Sequence, residues 1–391
     1  MNTVYLKPHK EESLLRFHPW VFSGAIAHID GQPQEGELVL VKDSYGHKMG
    51  VGHFQVGSIA VRILEFMTDT LPENFLEIRL RQALAGRQSL GLISPANSTF
   101  RLVHGEGDFL PGLVIDVYND TAVLQAHSVG MHLWRKEIAR TVVNILPSVR
   151  NVYYKSEGTL PFKADLQERE DGYLIGGVSS CEAMENGLIF GIDWLKGQKT
   201  GFFVDQRENR ALVERYAAGK DVLNMFCYTG GFSVYAIRGG AKRVHSVDSS
   251  SLAIEQVNRN VQRNFPDCNR HSSFVEDAFK YLDTAPDTYD LIILDPPAFA
   301  KHRGAVRNAL QGYKRLNAKA IERIRKGGLL FTFSCSQVVD KEMFRLAVFS
   351  AAAMTGRRVR ILHQLTQPQD HPVNIYHPEG EYLKGLVLYV E

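Results

Sequence analysis

A chain of 391 residues with 44% hydrophobic and 23% charged residues is too long for one core and too ordinary in composition for a disordered or fibrous protein, so two or three globular domains are expected. No apolar run is long enough to span a membrane, and Met1–Lys7 lacks a signal peptide's apolar segment, so a cytoplasmic protein with no membrane partner is expected. Cys181, Cys227, Cys268 and Cys335 lie far apart and form no CxxC pair, which argues against a zinc site or a disulfide framework; no metal is expected. The net charge of +2 is unevenly spread: residues 1–190 hold 17 Lys+Arg against 22 Asp+Glu, leaving 28 against 21 for residues 191–391. Charge-driven contacts with an anionic polymer therefore favour the second half.

In chain order, the first seventy residues alternate short apolar runs with glycine turns at Glu37–Val41, Lys48–Gly52 and Ile59–Leu64, a spacing that predicts a small, strongly bent sheet or pseudo-barrel. Ahead of them, His18-Pro19-Trp20-Val21-Phe22-Ser23-Gly24 reads as an apolar run with Trp20 and Phe22 in the core. Leu71-Pro72 marks a boundary, and Glu73–Leu90 has helical spacing. A second unit is α+β: strands at Phe100–His104, Leu113–Tyr118 and Ala122–Ala126 with an Asn119-Asp120 hairpin turn, a helix over Met131–Leu146, and strands at Asn151–Lys155, Tyr173–Val178 and Gly187–Trp194. It carries no catalytic constellation, so a spacer or substrate-positioning role is its default.

From Asp221 strands alternate with helices, the pattern of a doubly wound parallel sheet. Strands at Val222–Phe226, Val244–Asp248, Ser273–Asp277, Asp290–Leu294 and Gly328–Phe333 are followed by a terminal strand pair, Val359–His363 and Leu386–Val390. Asp290-Leu-Ile-Ile-Leu294 is apolar enough to be buried on both faces, and Pro296-Pro297 stops it, leaving Asp295 at the carboxyl end where such sheets place ligands.

After the first of these strands comes Cys227-Tyr228-Thr229-Gly230-Gly231, a turn in which glycines admit a ligand close to the backbone. It is not G-x-G-x-x-G, so the dinucleotide fingerprint is absent. Asp248, 18 residues after Gly230, suits a ribose, and Asp277 the adenine edge. Three strand ends at Asp248, Asp277 and Asp295 behind a Gly-Gly turn point to a nucleoside cofactor. Phe226, Thr229, Gly230, Gly231, Asp248, Asp277 and Asp295 are the candidate cofactor residues, joined by Thr200, Gln206 and Arg210 from the polar stretch Lys199–Arg210. The other reading of that stretch is a helix start with Asp205 as its cap and Phe202 and Phe203 in the core. The arrangement resembles the class I S-adenosylmethionine-dependent methyltransferases, whose cofactor is a nucleoside without a pyrophosphate.

The fifth strand ends Ser334-Cys335-Ser336. Adjacent strands would bring Cys335 to the same crevice as Asp295. A thiolate adding to carbon-6 of a pyrimidine makes carbon-5 nucleophilic, and a carboxylic acid at cytosine N3 stabilises the adduct. Cys335 and Asp295 are the candidate catalytic pair, with Pro296, Pro297, Phe299, Lys301 and Arg303 as candidate substrate contacts. Residues 300–326 hold nine cations, from Lys301 to Lys326, against Glu322 alone, a phosphate-tracking surface or else a solvated helix face. A base in folded RNA would have to be extruded to reach Cys335.

The His18–Gly24 run, Lys199–Arg210, Asn224–Phe232, Asp295–Phe299 and Ser334–Ser336 together resemble the RlmI-type large-subunit rRNA cytosine-5 methyltransferases, over essentially the whole chain. The resemblance implies a PUA-like β-barrel domain (1–72), a central α+β domain (73–190) and an α/β Rossmann-like class I methyltransferase domain (191–391), with S-adenosylmethionine as cofactor and large-subunit rRNA or an assembly intermediate as partner. The wider RNA cytosine-5 methyltransferases carry a second cysteine where this chain has Asp-Pro-Pro-Ala-Phe, so the base for product release is undefined. Two other readings are an exocyclic-nitrogen methyltransferase, against which Ala298 separates the aromatic from Pro297 and leaves Cys335 idle, and a non-catalytic RNA-binding assembly factor. The oligomeric state stays open, a homodimer included.

Overall fold

The computed structural model describes residues 1–161, 166, 168–177, 180–285 and 288–391. The chain divides into two compact units: Met1–Gly187, Ile192–Val204 and Gln369–Gly380 form the first, and Leu188–Gly191, Asp205–Pro368 and Glu381–Glu391 the second.

The first unit opens with a six-stranded sheet built from Asn2–Leu6, Trp20–Phe22, Ile26–Asp30, Leu38–Lys42, Lys48–Phe54 and Ile59–Phe66. Register shifts interrupt four of its antiparallel pairings, and each such bulge adds local bend and twist. Gly52 allows close approach, since a Cβ there would lie 2.2 Å from the Arg62 carbonyl oxygen. The expectation for Trp20 and Phe22 is corrected: Val21 is the buried residue, Trp20 is half-buried and Phe22 is 46% exposed. Strand alternation is the reason, because turning Val21 into the core sends both neighbours to the other face. There the Trp20 indole N–H donates to Glu106 Oε1 at 2.8 Å.

A five-stranded sheet follows, with Leu113–Tyr118 and Thr121–Ala126 as a hairpin whose Asn119 takes φ +55°. The long helix expected over Met131–Leu146 is two helices, Val129–Leu133 and Arg135–Ile145, the shorter one started early by the Ser128 hydroxyl accepting from the Met131 N–H. The strand expected over Tyr173–Val178 spans Gly172–Ile175, and Val178 lies outside the described residues. Hydrogen bonds to a buried arginine and a strand backbone explain why a late segment belongs here. Arg87 pairs with Asp108 and donates to the Asp370 carbonyl at 2.8 Å, while the Asp370 carboxylate accepts from the Arg101 N–H at 3.0 Å.

The second unit holds a seven-stranded sheet of β1 (Asp221–Met225), β2 (Arg243–Asp248), β3 (His271–Val275), β4 (Tyr289–Leu294), β5 (Ile324–Ser334), β6 (Val359–Thr366) and β7 (Lys384–Val390), in the order β3-β2-β1-β4-β5-β7-β6. The first five are parallel, and β7 runs antiparallel to both β5 and β6. Helices α1 (Arg207–Tyr216), α2 (Gly231–Arg238), α3 (Ser251–Asn264), α4 (Ala278–Thr284), α5 (Val306–Arg323) and α6 (Lys341–Thr355) accompany it. Strand order reverses between β1 and β4, the switch point at whose carboxyl ends α/β sheets bind ligands. As expected, β4 is buried through Leu291–Leu294 and lies beside β5, with Leu294 opposite Thr332. The fifth strand starts earlier than expected, at Ile324, because a register shift and the left-handed Gly327 (φ +79°) absorb the irregular Arg325–Gly328 stretch.

Ile292 has no exposed surface. Ile292→Ala is expected to lower the unfolding free energy by about 2–5 kcal/mol, checked by urea denaturation followed by a probe in the second unit; a smaller loss would show that β4 is not central to its core.

Candidate active site

The turn after β1 is strained in a directed way. Phe226 and Tyr228 hold φ +56° and +46°, and Gly230, at +80°, precedes α2. A Cβ on Gly230 would meet Val257 at 2.9 Å, and one on Gly231 would meet the Arg210 side chain at 2.8 Å, so both glycines answer to close packing as well as conformation. Asp248, at the end of β2, braces this turn: one carboxylate oxygen accepts from the Tyr228 N–H and the other from the Ser250 N–H, each at 3.0 Å. Thr229 is buried, its carbonyl accepting from the Asn260 amide at 2.9 Å.

Asp277 sits just beyond β3 and is exposed. Its carboxylate caps α4, accepting from the Lys280 N–H at 3.0 Å. The stretch Lys199–Arg210 is shared between the units. Thr200 belongs to the first, where its buried hydroxyl donates to Asp116 Oδ2 at 2.7 Å and lies 2.9 Å from the Tyr118 hydroxyl. Gln206 and Arg210 belong to the second and are buried on α1 or at its start.

Those two residues converge on Asp295. Gln206 Nε2 donates to Asp295 Oδ1 at 3.0 Å and is itself oriented by Asn209, which donates to Gln206 Oε1 at 2.6 Å. Burial, and behind it the negative charge of Asp205, raise the Asp295 carboxyl to about 7; the Gln206 hydrogen bond and the Arg210 charge act the other way without winning. Asp205 is held in turn by the Tyr382 hydroxyl, which donates to Oδ2 at 2.7 Å. Near neutral pH, Asp295 is thus a carboxylic acid able both to donate and to accept a proton.

Cys335 follows directly on β5, and both flanking serines are tied down. Ser334 Oγ donates to the Tyr313 hydroxyl at 2.9 Å, and Ser336 Oγ donates to the Ala300 carbonyl at 2.6 Å. The second bond joins the cysteine turn to the loop Asp295–Ala300. Tyr313, on α5, senses both members of the pair. Burial is the main cause that pushes its hydroxyl up to about 12, and the charges of Cys335 and Asp295 add to it. Among the other cysteines, burial pushes the Cys227 thiol well up, which makes it inert.

Pro296 is buried and Pro297 exposed. Phe299 is partly buried, its ring 4.6 Å from that of Tyr313 and against Gly312, where a Cβ would lie 3.0 Å away. Lys301, Arg303, Arg307 and Lys326 are exposed. Four other cations of the run serve the fold: Arg315 lies over the Phe279 ring, Lys319 pairs with Asp283, Arg323 donates to the Asp283 and Ala285 carbonyls, and Arg325 pairs with Asp221 and Asp290. Tyr313 and Tyr382 are site residues the sequence did not single out, because neither stands near a motif and only the fold brings them in.

Residues 172–374 match the model of an S-adenosylmethionine-dependent methyltransferase family, and residues 4–66 that of a PUA-like domain. The chain is 41% identical over 396 residues to the ribosomal RNA large subunit methyltransferase I of Tolumonas auensis, covering 99% of each. It is 37% identical over 394 residues to the protein so named from Pseudoalteromonas translucida, covering 99% of this chain and 98% of that one. Among solved structures, SMU.776, described as a methyltransferase complexed with SAH, superposes with a TM-score of 0.86 at 23% identity over the whole of both chains, a likeness of fold.

A carboxyl whose pKa is raised in the folded state takes up a proton on folding. Its contribution to stability is present below the unfolded value and is lost as pH rises from about 4 through the folded value; for Asp295 the folded value is about 7. Asp295→Asn keeps an acceptor for Gln206 and carries no titrating proton. Its melting temperature is expected to rise relative to wild type between about pH 5 and about pH 8, and a difference independent of pH would contradict the raised value.

Proposed function

The chain belongs to the family of the ribosomal RNA large subunit methyltransferase I proteins, S-adenosylmethionine-dependent enzymes, and we propose that it methylates carbon-5 of a cytidine in large-subunit ribosomal RNA through a covalent adduct on Cys335. The glycine turn, Asp248 and the Gln206–Arg210 segment suit S-adenosylmethionine: the turn admits close approach, each Asp248 oxygen keeps a lone pair beyond its backbone bond, and Arg210 offers a cation for a carboxylate. Phe226, Thr229, Gly230, Gly231 and Asp248 would hold the nucleoside part. Asp277, bound as a helix cap, has one oxygen engaged by that role. Thr200 is left out of this set, its hydroxyl being engaged by Asp116 and Tyr118.

The reading is carried by one observation: a carboxyl held near neutral pKa stands on the loop that is bonded to the turn of a strand-end cysteine. Sγ of Cys335 bonds to carbon-6 of the ring, and Asp295 gives its proton to N3, so the carbon-5/carbon-6 electron pair becomes available at carbon-5. The cofactor supplies an electrophilic methyl group. Loss of the carbon-5 proton to solvent, departure of the thiolate from carbon-6 and return of the N3 proton to the Asp295 carboxylate restore the aromatic ring and the starting acid. Pro296, Pro297 and the packed Phe299 shape the loop beside the base, and Lys301 and Arg303 are free to meet phosphates.

Cys335→Ala is expected to abolish methyl transfer while leaving S-adenosylmethionine affinity unchanged. RNA carrying 5-fluorocytosine is expected to trap the wild-type protein as a covalent adduct on denaturing gels. Full activity of the alanine variant would favour methylation of the exocyclic amine instead. Lys301→Ala and Arg303→Ala are each expected to reduce the slope of log affinity against log salt by about 1; unchanged slopes would remove this stretch from the RNA interface.

A further inference from the structure

Lys384 is 5% exposed and opens β7, where the antiparallel register sets it opposite Ser334, the residue before Cys335. Burying an ammonium costs free energy that an apolar residue would not, so its retention at the head of an apolar strand calls for a reason. Its Nζ donates to the Ser336 carbonyl at 2.6 Å and the Val339 carbonyl at 2.5 Å. Both carbonyls belong to the turn that follows Cys335, and two of the three N–H groups are thereby used. Burial pushes the lysine down to about 8, and the first influence pulling it back up is Cys335 itself, ahead of Asp340 and Glu381.

The surrounding titratable groups have other duties. Asp340 caps α6, accepting from the Met343 N–H at 2.7 Å, and Glu381 is ion-paired with Lys341. Tyr313, on α5, is held neutral, and Asp295 is bonded to Gln206. Lys384 is the cation built into the cysteine turn.

We propose that Lys384 is a positioning residue for Cys335: its ammonium ties down the turn after the nucleophile and favours the thiolate over the thiol. The proposal rests on Cys335 being the nucleophile. The thiol proton passes to solvent before the base arrives, the ammonium keeps its own three protons, and a charge pair stands where an isolated thiolate would. When Sγ bonds to carbon-6 the negative charge leaves sulfur; when that bond breaks the charge returns, and the same cation stabilises the departing thiolate.

The test is the pH dependence of iodoacetamide alkylation at Cys335, read by peptide mass spectrometry so that the other cysteines do not interfere. Lys384→Gln keeps N–H donors for the two carbonyls and removes the charge, and its midpoint is expected about one pH unit above that of wild type. Lys384→Arg, which keeps the charge, is expected to stay near wild type. A purely structural tether would leave the midpoint of a folded Lys384→Gln protein unchanged, and that result overturns the proposal. Should the glutamine variant not fold, wild type decides alone: a Cys335 midpoint at or above about 8.5, the value of an unperturbed cysteine, overturns it, and a lower one supports it. Trapping with 5-fluorocytosine RNA separates the two claims. An adduct with wild type beside an unmoved midpoint defeats the role of Lys384 alone, whereas no adduct defeats the cytosine reading on which it rests.

Discussion

The parallel pairing of β4 with β5 is the constraint from which the site follows. Leu294 stands opposite Thr332, so Asp295 and Cys335 emerge from neighbouring strands at the same carboxyl edge. Strand pairing alone would leave two flexible loop residues there. The Ser336–Ala300 and Ser334–Tyr313 bonds remove that freedom, because each fixes a residue next to the thiol to a different part of the wall. In the proposed reaction, preorganisation of this kind would set the thiol and the carboxyl before the substrate arrives.

The same edge sorts its charges by environment. Asp248 is a partly exposed carboxylate with two backbone N–H partners, suited to accepting from hydroxyl groups, whereas Asp295 is crowded by burial and by Asp205 and holds its proton to about pH 7. These aspartates end β2 and follow β4, with β1 between them, and the proposed function uses one for binding and the other for handling a proton. Lys384, buried at the start of β7, donates to two carbonyls of the turn that follows Cys335.

Much of this was legible in the chain itself, and where it failed the reasons are physical. The apolar run ending in Asp295-Pro-Pro marked β4 because a strand buried on both faces needs continuous hydrophobicity, and the strand–helix alternation marked the parallel sheet. Phe22 faces away from the core, and a three-residue strand offers too few positions for the sequence to set which face is inward. Asp277 looks like its neighbours in sequence, and the helix that follows its strand end at once adds a capping role that spacing does not show. Within the cation run, Lys319 pairs with Asp283 and Arg315 lies over the Phe279 ring, contacts no local pattern reveals. Thr200, close to Gln206 in the chain, has its hydroxyl engaged by Asp116 and Tyr118, partners that its neighbours in sequence do not announce. Lys384, Tyr313 and Tyr382 come to the site only through tertiary pairing, which leaves no trace in spacing.

Carbon-5 chemistry has one signature that no other base methylation shares, the loss of the hydrogen already on that carbon. Large-subunit ribosomal RNA prepared with tritium at carbon-5 of cytidine, incubated with the protein and S-adenosylmethionine, tests it directly. One tritium released to water for each methyl group transferred is the predicted result. Methyl transfer with the tritium retained would contradict the joint action of Cys335 and Asp295 on the ring.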